Sequence, residues 1–324
     1  MTKPVCIKVY LMDILKLLRP INLLFLVLIQ FLLQYCLIVP LLKAIGQSAS
    51  LSVWYFCLLV LSTVCIAAAG YAINDYFDVD IDRVNRPDKV IVGVTVSPEK
   101  TMQIYWLLNL LGTVAGFIAA WKIGNYKLGF LQLATMGTLW FYATSYKRQL
   151  LIGNIVVAVL AALAVLIVGF YEPAIYQTLV YLEVLEKGVA RLIMQFLCGY
   201  AFCAFLLTLI REIIKDLEDI VGDRLGGCST LPIVIGERVS KFIVFCLILF
   251  VFLFLSYYQW FQWQNAKIIS VFWILMTIQI PLLILIYLIS QAELPKQYHR
   301  ASQWIKGIML MGVLYLLYLN LPLA

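Results

Sequence analysis

Apolar runs of about 20 residues recur along the chain, separated by short polar connectors, at 20–42, 52–74, 101–121, 126–146, 152–171, 189–211, 240–261, 267–290 and 302–321. A helix rising 1.5 Å per residue needs about this length to cross roughly 30 Å of hydrocarbon. The pattern therefore predicts about nine transmembrane helices and an all-α, polytopic membrane fold. A shorter stretch, Val9 to Leu18, ends on Lys16 and Arg19 and reads as an interfacial helix. Residues 1–19 are thus set apart as an N-terminal interfacial segment of one transmembrane domain covering 1–324. The first long apolar run follows a basic stretch but lacks a small-residue cleavage site, so it is read as an anchor and not a removed signal. The segment 172–188 is expected to be a connector, partly helical, on the side of the membrane away from the N-terminus.

Composition agrees with the pattern. Hydrophobic residues make up 64% of the 324 residues, charged residues 13%, and the mean hydropathy is +0.97. A chain this apolar suits a lipid solvent. If the N-terminus is cytoplasmic, 18 of the 24 basic residues fall on the cytoplasmic side and 6 on the other, a positive-inside bias. The net charge of +7 follows from topology and attraction to anionic lipid headgroups. No basic patch interleaved with aromatic residues is present, so no nucleic-acid partner is expected. The eight cysteines form no C-x-x-C pair and lie mostly in apolar runs, where they act as small hydrophobes. The single histidine, His299, is expected in a polar loop beside Lys296 and Arg300, and one histidine cannot supply a zinc site or a catalytic triad alone.

Two acidic clusters break the apolar pattern, Asn74-Asp75-Tyr76-Phe77-Asp78-Val79-Asp80-Ile81-Asp82 and Asp216-Leu217-Glu218-Asp219-Ile220-Val221-Gly222-Asp223. Carboxylates beside a bilayer are costly unless paired, hydrated or bound to metal, which marks such residues as functional candidates. At about 100° per helical residue, Asn74, Asp78 and Asp82 fall at 0°, about 40° and about 80°, with Asp75 near 100°. Asp80, near 240°, points elsewhere. Glu212, Asp216, Asp219 and Asp223 fall within an arc of about 60°, with Glu218 nearly opposite. A lone cluster reads equally well as a solvated helix end. Two matching clusters on one membrane side instead suggest hard oxygen ligands for Mg²⁺, which takes part of its shell from water and substrate phosphate. Arg83, Arg86, Lys89, Arg211, Lys215, Lys147 and Arg148 lie near the clusters in sequence, and such cations suit a diphosphate.

Asn74-Asp75-x-x-Asp78-x-x-x-Asp82-Arg83 with Asn85-Arg86-Pro87 resembles the first aspartate motif of the UbiA superfamily of intramembrane prenyltransferases. Arg211-Glu212-x-x-Lys215-Asp216-x-x-Asp219-x-x-Gly222-Asp223, followed by Thr230-Leu231-Pro232 and Gly236, resembles the second. Leu18-Arg19-Pro20-x-Asn22 and Gly153-Asn154 are similar too, and the resemblance runs from about residue 17 to 320. It implies nine helices around a central cavity open sideways to lipid, under a cytoplasmic cap formed by the loops after the second and sixth spans. It further implies that Asn74, Asp78, Asp82, Asp219 and Asp223 hold Mg²⁺ and the diphosphate, with Lys147 among the catalytic groups. Arg83, Arg86, Arg211, Lys215, Asp216 and Tyr142 are expected to be the further substrate-binding residues. The interval from Tyr142 to Lys147 is five residues, where many members have four.

The implied reaction is transfer of a prenyl group from prenyl diphosphate to a lipophilic acceptor. The strings Asn85-Arg86-Pro87-Asp88-Lys89 and Arg211 to Asp219 look most like the branch that adds a geranylgeranyl group to geranylgeranylglyceryl phosphate. An aromatic quinone precursor is the alternative acceptor, and a non-enzymatic cation or lipid transporter is the alternative class. A transporter predicts carboxylates in mid-membrane and half-chain repeats, whereas both clusters sit at the ends of apolar runs. The expected location is the plasma (inner) membrane, with the site facing the cytoplasm.

Overall fold

The computed structural model describes residues 7–181 and 184–320. These fold into helices α1 (Ile7–Leu17), α2 (Pro20–Ala44), α3 (Val53–Phe77), α4 (Val79–Asn85), α5 (Pro98–Lys122), α6 (Gly129–Thr144) and α7 (Ile152–Phe170). There follow α8 (Pro173–Tyr181), α9 (Val184–Leu225), α10 (Leu231–Ile235), α11 (Glu237–Gln264), α12 (Ile268–Ser290) and α13 (Pro295–Asn320). The all-α class is as expected. Eight of the described helices are long and apolar enough to cross a membrane. The span expected at 126–146 is α6, whose 16 residues rise only about 24 Å, less than the hydrocarbon core. Tight turns at Tyr126–Leu128 and Tyr146–Arg148 flank it. The connector expected at 172–188 is helical almost throughout its described residues, and the last span starts earlier than expected, at Pro295.

Sequence explains the irregularities inside two spans. Within α2 the backbone widens to a π-helix over Leu33–Ile38, just before Pro40, and within α12 over Leu275–Gln279, just before Pro281. Proline lacks an N–H and its ring crowds the carbonyl four residues earlier, so the wider turn relieves both conflicts without ending the helix.

Helix α9 organises the bundle. Its 42 residues rise about 63 Å, roughly twice the bilayer core, so its C-terminal part carries the second acidic cluster beyond the apolar run. One buried core joins it to α2, α3, α7 and α8, and a second joins it to α11, α12 and α13. Helix α5 lies against α3 because Gly112 and Gly116 remove side chains there: a Cβ on Gly112 would lie 3.0 Å from the Ser62 carbonyl oxygen, and one on Gly116 2.7 Å from Ser62 Oγ. Small residues four apart allow such close approach where lipid supplies no hydrophobic drive for helix pairing. At the end opposite the acidic clusters, fully buried Glu172 accepts hydrogen bonds from Ser50 N at 2.5 Å and Gln34 Nε2 at 3.2 Å, pinning the α2–α3 loop to α7 and α8.

Candidate active site

The first acidic cluster does not form one uninterrupted helix. Helix α3 stops at Phe77, and Asp78 caps it with φ −97° and ψ 1° before α4 begins. Backbone bonds from Asp78 N to Asn74 O (3.0 Å) and from Asp82 N to Asp78 O (2.8 Å) carry the four-residue register across the break. The expected shared face therefore survives the bend. Asn74 Nδ2 donates to Asp78 Oδ2 at 2.7 Å, while Asn74 Oδ1 is buried with no hydrogen-bond partner. Asp80 is 94% exposed and pairs with Arg83 at 3.2 Å, which places both on the solvent face.

Cations position the remaining carboxylates. Arg19 sits just before Pro20, where helix is disfavoured, and adopts the left-handed region at φ 53°. Its guanidinium donates to Asp75 at 2.6 Å and lies 4.9 Å from the centre of the Tyr71 ring. The turn after α6 brings Lys147 Nζ to 2.5 Å from Asp78 Oδ1. That turn packs directly on α7 at Gly153, where a Cβ would meet the Lys147 Cα at 2.7 Å. The next residue, Asn154, donates to Asp216 at 2.8 Å. The Gly153-Asn154 pair thus seats a lysine on one acidic cluster and an amide on the other.

The two clusters meet. Arg86 Nη2 lies 2.8 Å from both carboxylate oxygens of Asp219 and 3.1 Å from Glu218 Oε1. Asn85 donates to the Asp219 carbonyl at 3.2 Å and accepts from Gly222 N at 2.8 Å. Asp223 lies within electrostatic range of Asp78 and Lys147. Glu212, buried, receives Arg211 at 2.6 Å and Lys215 at 2.8 Å. Tyr142 lies within electrostatic range of Glu212, Asp78 and Asp216. Burial, reinforced by the charges of Asp78 and Asp75, pushes the Asp82 carboxyl up to about 6. Arg86 is held above its ordinary value because Asp219, Glu218 and Asp82 outweigh the cost of its burial.

One single-residue reading changes, that of His299, which partners Glu218. Glu218, opposite the shared face by helical angle, is not solvated: it takes Arg86 on one side and His299 Nδ1 at 3.0 Å on the other. His299 belongs to α13 and not to a loop. Among the described residues no three His, Cys, Asp or Glu side chains converge as a closed metal cage. The donor set instead fits a cation that takes a few protein oxygens and completes its shell with water and phosphate, as magnesium does.

Beside the clusters lies a cavity of about 1250 Å³, bounded by α2, α3, α6, α7, α9, α11, α12 and α13. Its walls are mainly aliphatic and aromatic, and Asn74, Tyr142 and Glu212 face it at the acidic end. Exposed lining residues such as Leu192, Tyr257 and Phe261 show that it opens to the outside of the bundle.

The chain is 40% identical over 178 residues to the digeranylgeranylglyceryl phosphate synthase of Pyrococcus abyssi, covering 53% of each chain. It thus spans about half the length of the curated relatives it matches. A solved structure concerned with digeranylgeranylglyceryl phosphate synthase in membranes matches with a TM-score of 0.59 at 23% identity, covering 97% of this chain and 99% of that one. A UbiA homolog from Archaeoglobus fulgidus bound to DMAPP and Mg²⁺ matches with a TM-score of 0.53 at 16% identity, covering 92% and 98%. These two show a shared fold. The model of the UbiA prenyltransferase family matches residues 24–318, and the chain belongs to that family.

Proposed function

We propose that the chain is a membrane prenyltransferase that moves a geranylgeranyl group from its diphosphate to geranylgeranylglyceryl phosphate, releasing diphosphate. The observation that carries this reading is the union of the two acidic helix ends through Arg86 and Asp219, on the same two segments whose Asn74, Glu212 and Lys215 line a large apolar cavity. Naming of the curated relatives as digeranylgeranylglyceryl phosphate synthases supports the choice of acceptor.

Asn74, Asp78, Asp82, Asp219 and Asp223 would hold Mg²⁺, and the unpartnered Asn74 Oδ1 is a suitable oxygen donor. When bound, the ion neutralises charge growing on the departing diphosphate. Lys147 and Arg86, held beside Asp78 and Asp219, turn to the diphosphate oxygens and stabilise the same charge, a contribution that is often the largest in catalysis. Arg211, Lys215, Asp216 and Tyr142 complete the polar rim. The allylic carbon loses its oxygen, with the bonding electrons going to diphosphate. Apolar and aromatic walls exclude water from the cation-like carbon until the acceptor hydroxyl oxygen bonds to it and gives up its proton. Arg83, on the solvent face with Asp80, has no part in this scheme.

The positive-inside bias of 18 against 6 basic residues supports a cytoplasmic site, and the plasma (inner) membrane is the location we propose. Incubating the purified chain with labelled geranylgeranyl diphosphate, Mg²⁺ and competing acceptors, followed by mass analysis, tests the reading. The expected product is the digeranylgeranyl ether lipid. A labelled aromatic product in its place would overturn the choice of acceptor.

A further inference from the structure

The charge at the polar end of the cavity is not acidic overall. Arg19, Arg211, Lys215 and Lys306 all line it there, and Glu212 is the carboxylate among the lining residues at that end. Asp75, behind Arg19, is a second compensating charge. Asp216, within electrostatic range of Lys215, is a third, and four cations against three carboxylates leave one positive charge in excess, apart from the aspartates assigned to Mg²⁺.

Lys306 is the least compensated of the four. It lies eleven residues beyond the start of α13, roughly 16 Å along the axis, inside a helix of membrane-spanning length. Among the described residues it forms no ion pair, and its hydrogen bond goes to a neutral acceptor, Asn22 Oδ1, at 3.2 Å. Arg211, Lys215 and Arg19 are all within electrostatic range. Arg211 gives one guanidinium nitrogen, Nη1, to Glu212, while its buried Nε has no partner. A half-buried ammonium among like charges is costly unless an anion joins it.

Resting on the proposed reaction, we infer that Lys306 and Arg211, with Asn22, form the subsite for the phosphate monoester of the acceptor. A phosphate offsets the excess positive charge and accepts from both the ammonium and the free guanidinium edge. The acceptor is then anchored by its head at the rim while its isoprenoid chain lies in the apolar cavity. Its hydroxyl is presented to the donor held by the aspartates. Lys306 is accordingly a specificity-determining residue that binds substrate without touching the reacting carbon.

The test compares Lys306→Met and Lys306→Arg with the parent chain, using geranylgeranyl diphosphate as donor and either geranylgeranylglyceryl phosphate or its phosphate-free alcohol as acceptor. Loss of one charge-assisted hydrogen bond corresponds to about a tenfold or larger effect. Lys306→Met should lower the preference for the phosphorylated acceptor at least tenfold, with the donor KM within twofold, and Lys306→Arg should restore most of it. An equal loss for both acceptors, or a rise in donor KM, overturns the assignment. A binding arm separates it from the reaction itself: glycerol phosphate is titrated onto the full chain without Mg²⁺ or donor. Binding weakened at least tenfold in Lys306→Met supports the pocket even if the parent chain transfers nothing to the phosphorylated acceptor, a result that would sink the proposed reaction alone. Binding unchanged by Lys306→Met overturns the pocket.

Discussion

The side-chain amide of Asn85 closes a two-way contact with α9, donating to the Asp219 carbonyl and accepting from Gly222 N at 2.8 Å. There is no room for a side chain at position 222: a Cβ would lie 2.4 Å from Asn85 Nδ2. Gly222→Ala is expected to raise helix propensity by about 1 kcal/mol, yet push the two acidic ends apart and cut turnover at least tenfold. Because the clash is with the Asn85 side chain, Gly222→Ala combined with Asn85→Ala should recover part of that loss. Steady-state rates of both variants check this, and a double variant no faster than Gly222→Ala alone would contradict it.

Lys147→Met should reduce kcat/KM for the prenyl diphosphate by roughly 10- to 100-fold, the scale of one hydrogen bond to a charged group. Its ammonium is 2.5 Å from Asp78 and comes from a turn seated on Gly153. Donor kinetics at saturating Mg²⁺ check this, with the melting temperature followed in parallel. Unchanged donor kinetics in a folded variant would remove Lys147 from the site.

The acidic clusters and their shared faces were legible because both depend on local helical register, which persists through the bend at Asp78. The partner of each carboxylate was not. Arg86 reaches Asp219 across 133 positions, and Glu218 takes His299 from a helix 81 positions away, distances over which periodicity carries no information. The shortness of α6 was hidden for a related reason. Residues 126–146 are apolar enough to span the bilayer, but tight turns at both ends use part of that length, and one of them delivers Lys147. Lys306 left a faint signal, a cation within the run 302–321, that reads as a topology charge until Arg211 and Asn22 appear beside it.

Glu172→Ala should destabilise the fold by about 1–3 kcal/mol, because the Ser50 N–H and the Gln34 amide lose a buried acceptor. The residue lies at the end of the bundle away from the acidic clusters, so the folded fraction should keep its KM and kcat. Thermal melting in detergent beside steady-state kinetics checks both parts. An altered KM with an unchanged melting temperature would contradict them.

Gly112→Val should overpack the contact between α3 and α5, where the Ser62 carbonyl and the Cys65 and Ile66 side chains leave no free volume. The expected cost is about 1–3 kcal/mol. A lowered melting temperature checks this, and an unchanged one would show that the two helices tolerate greater separation.

The central claim is that both acidic helix ends grip one magnesium-bound diphosphate together. Its most direct test is Mg²⁺-dependent consumption of geranylgeranyl diphosphate by Asp78→Ala, Asp219→Ala and the double variant, each shown to be folded. Residues acting as a unit give non-additive effects, so each single change should abolish turnover and the double change should add little. Near-normal turnover in either single variant would contradict the claim.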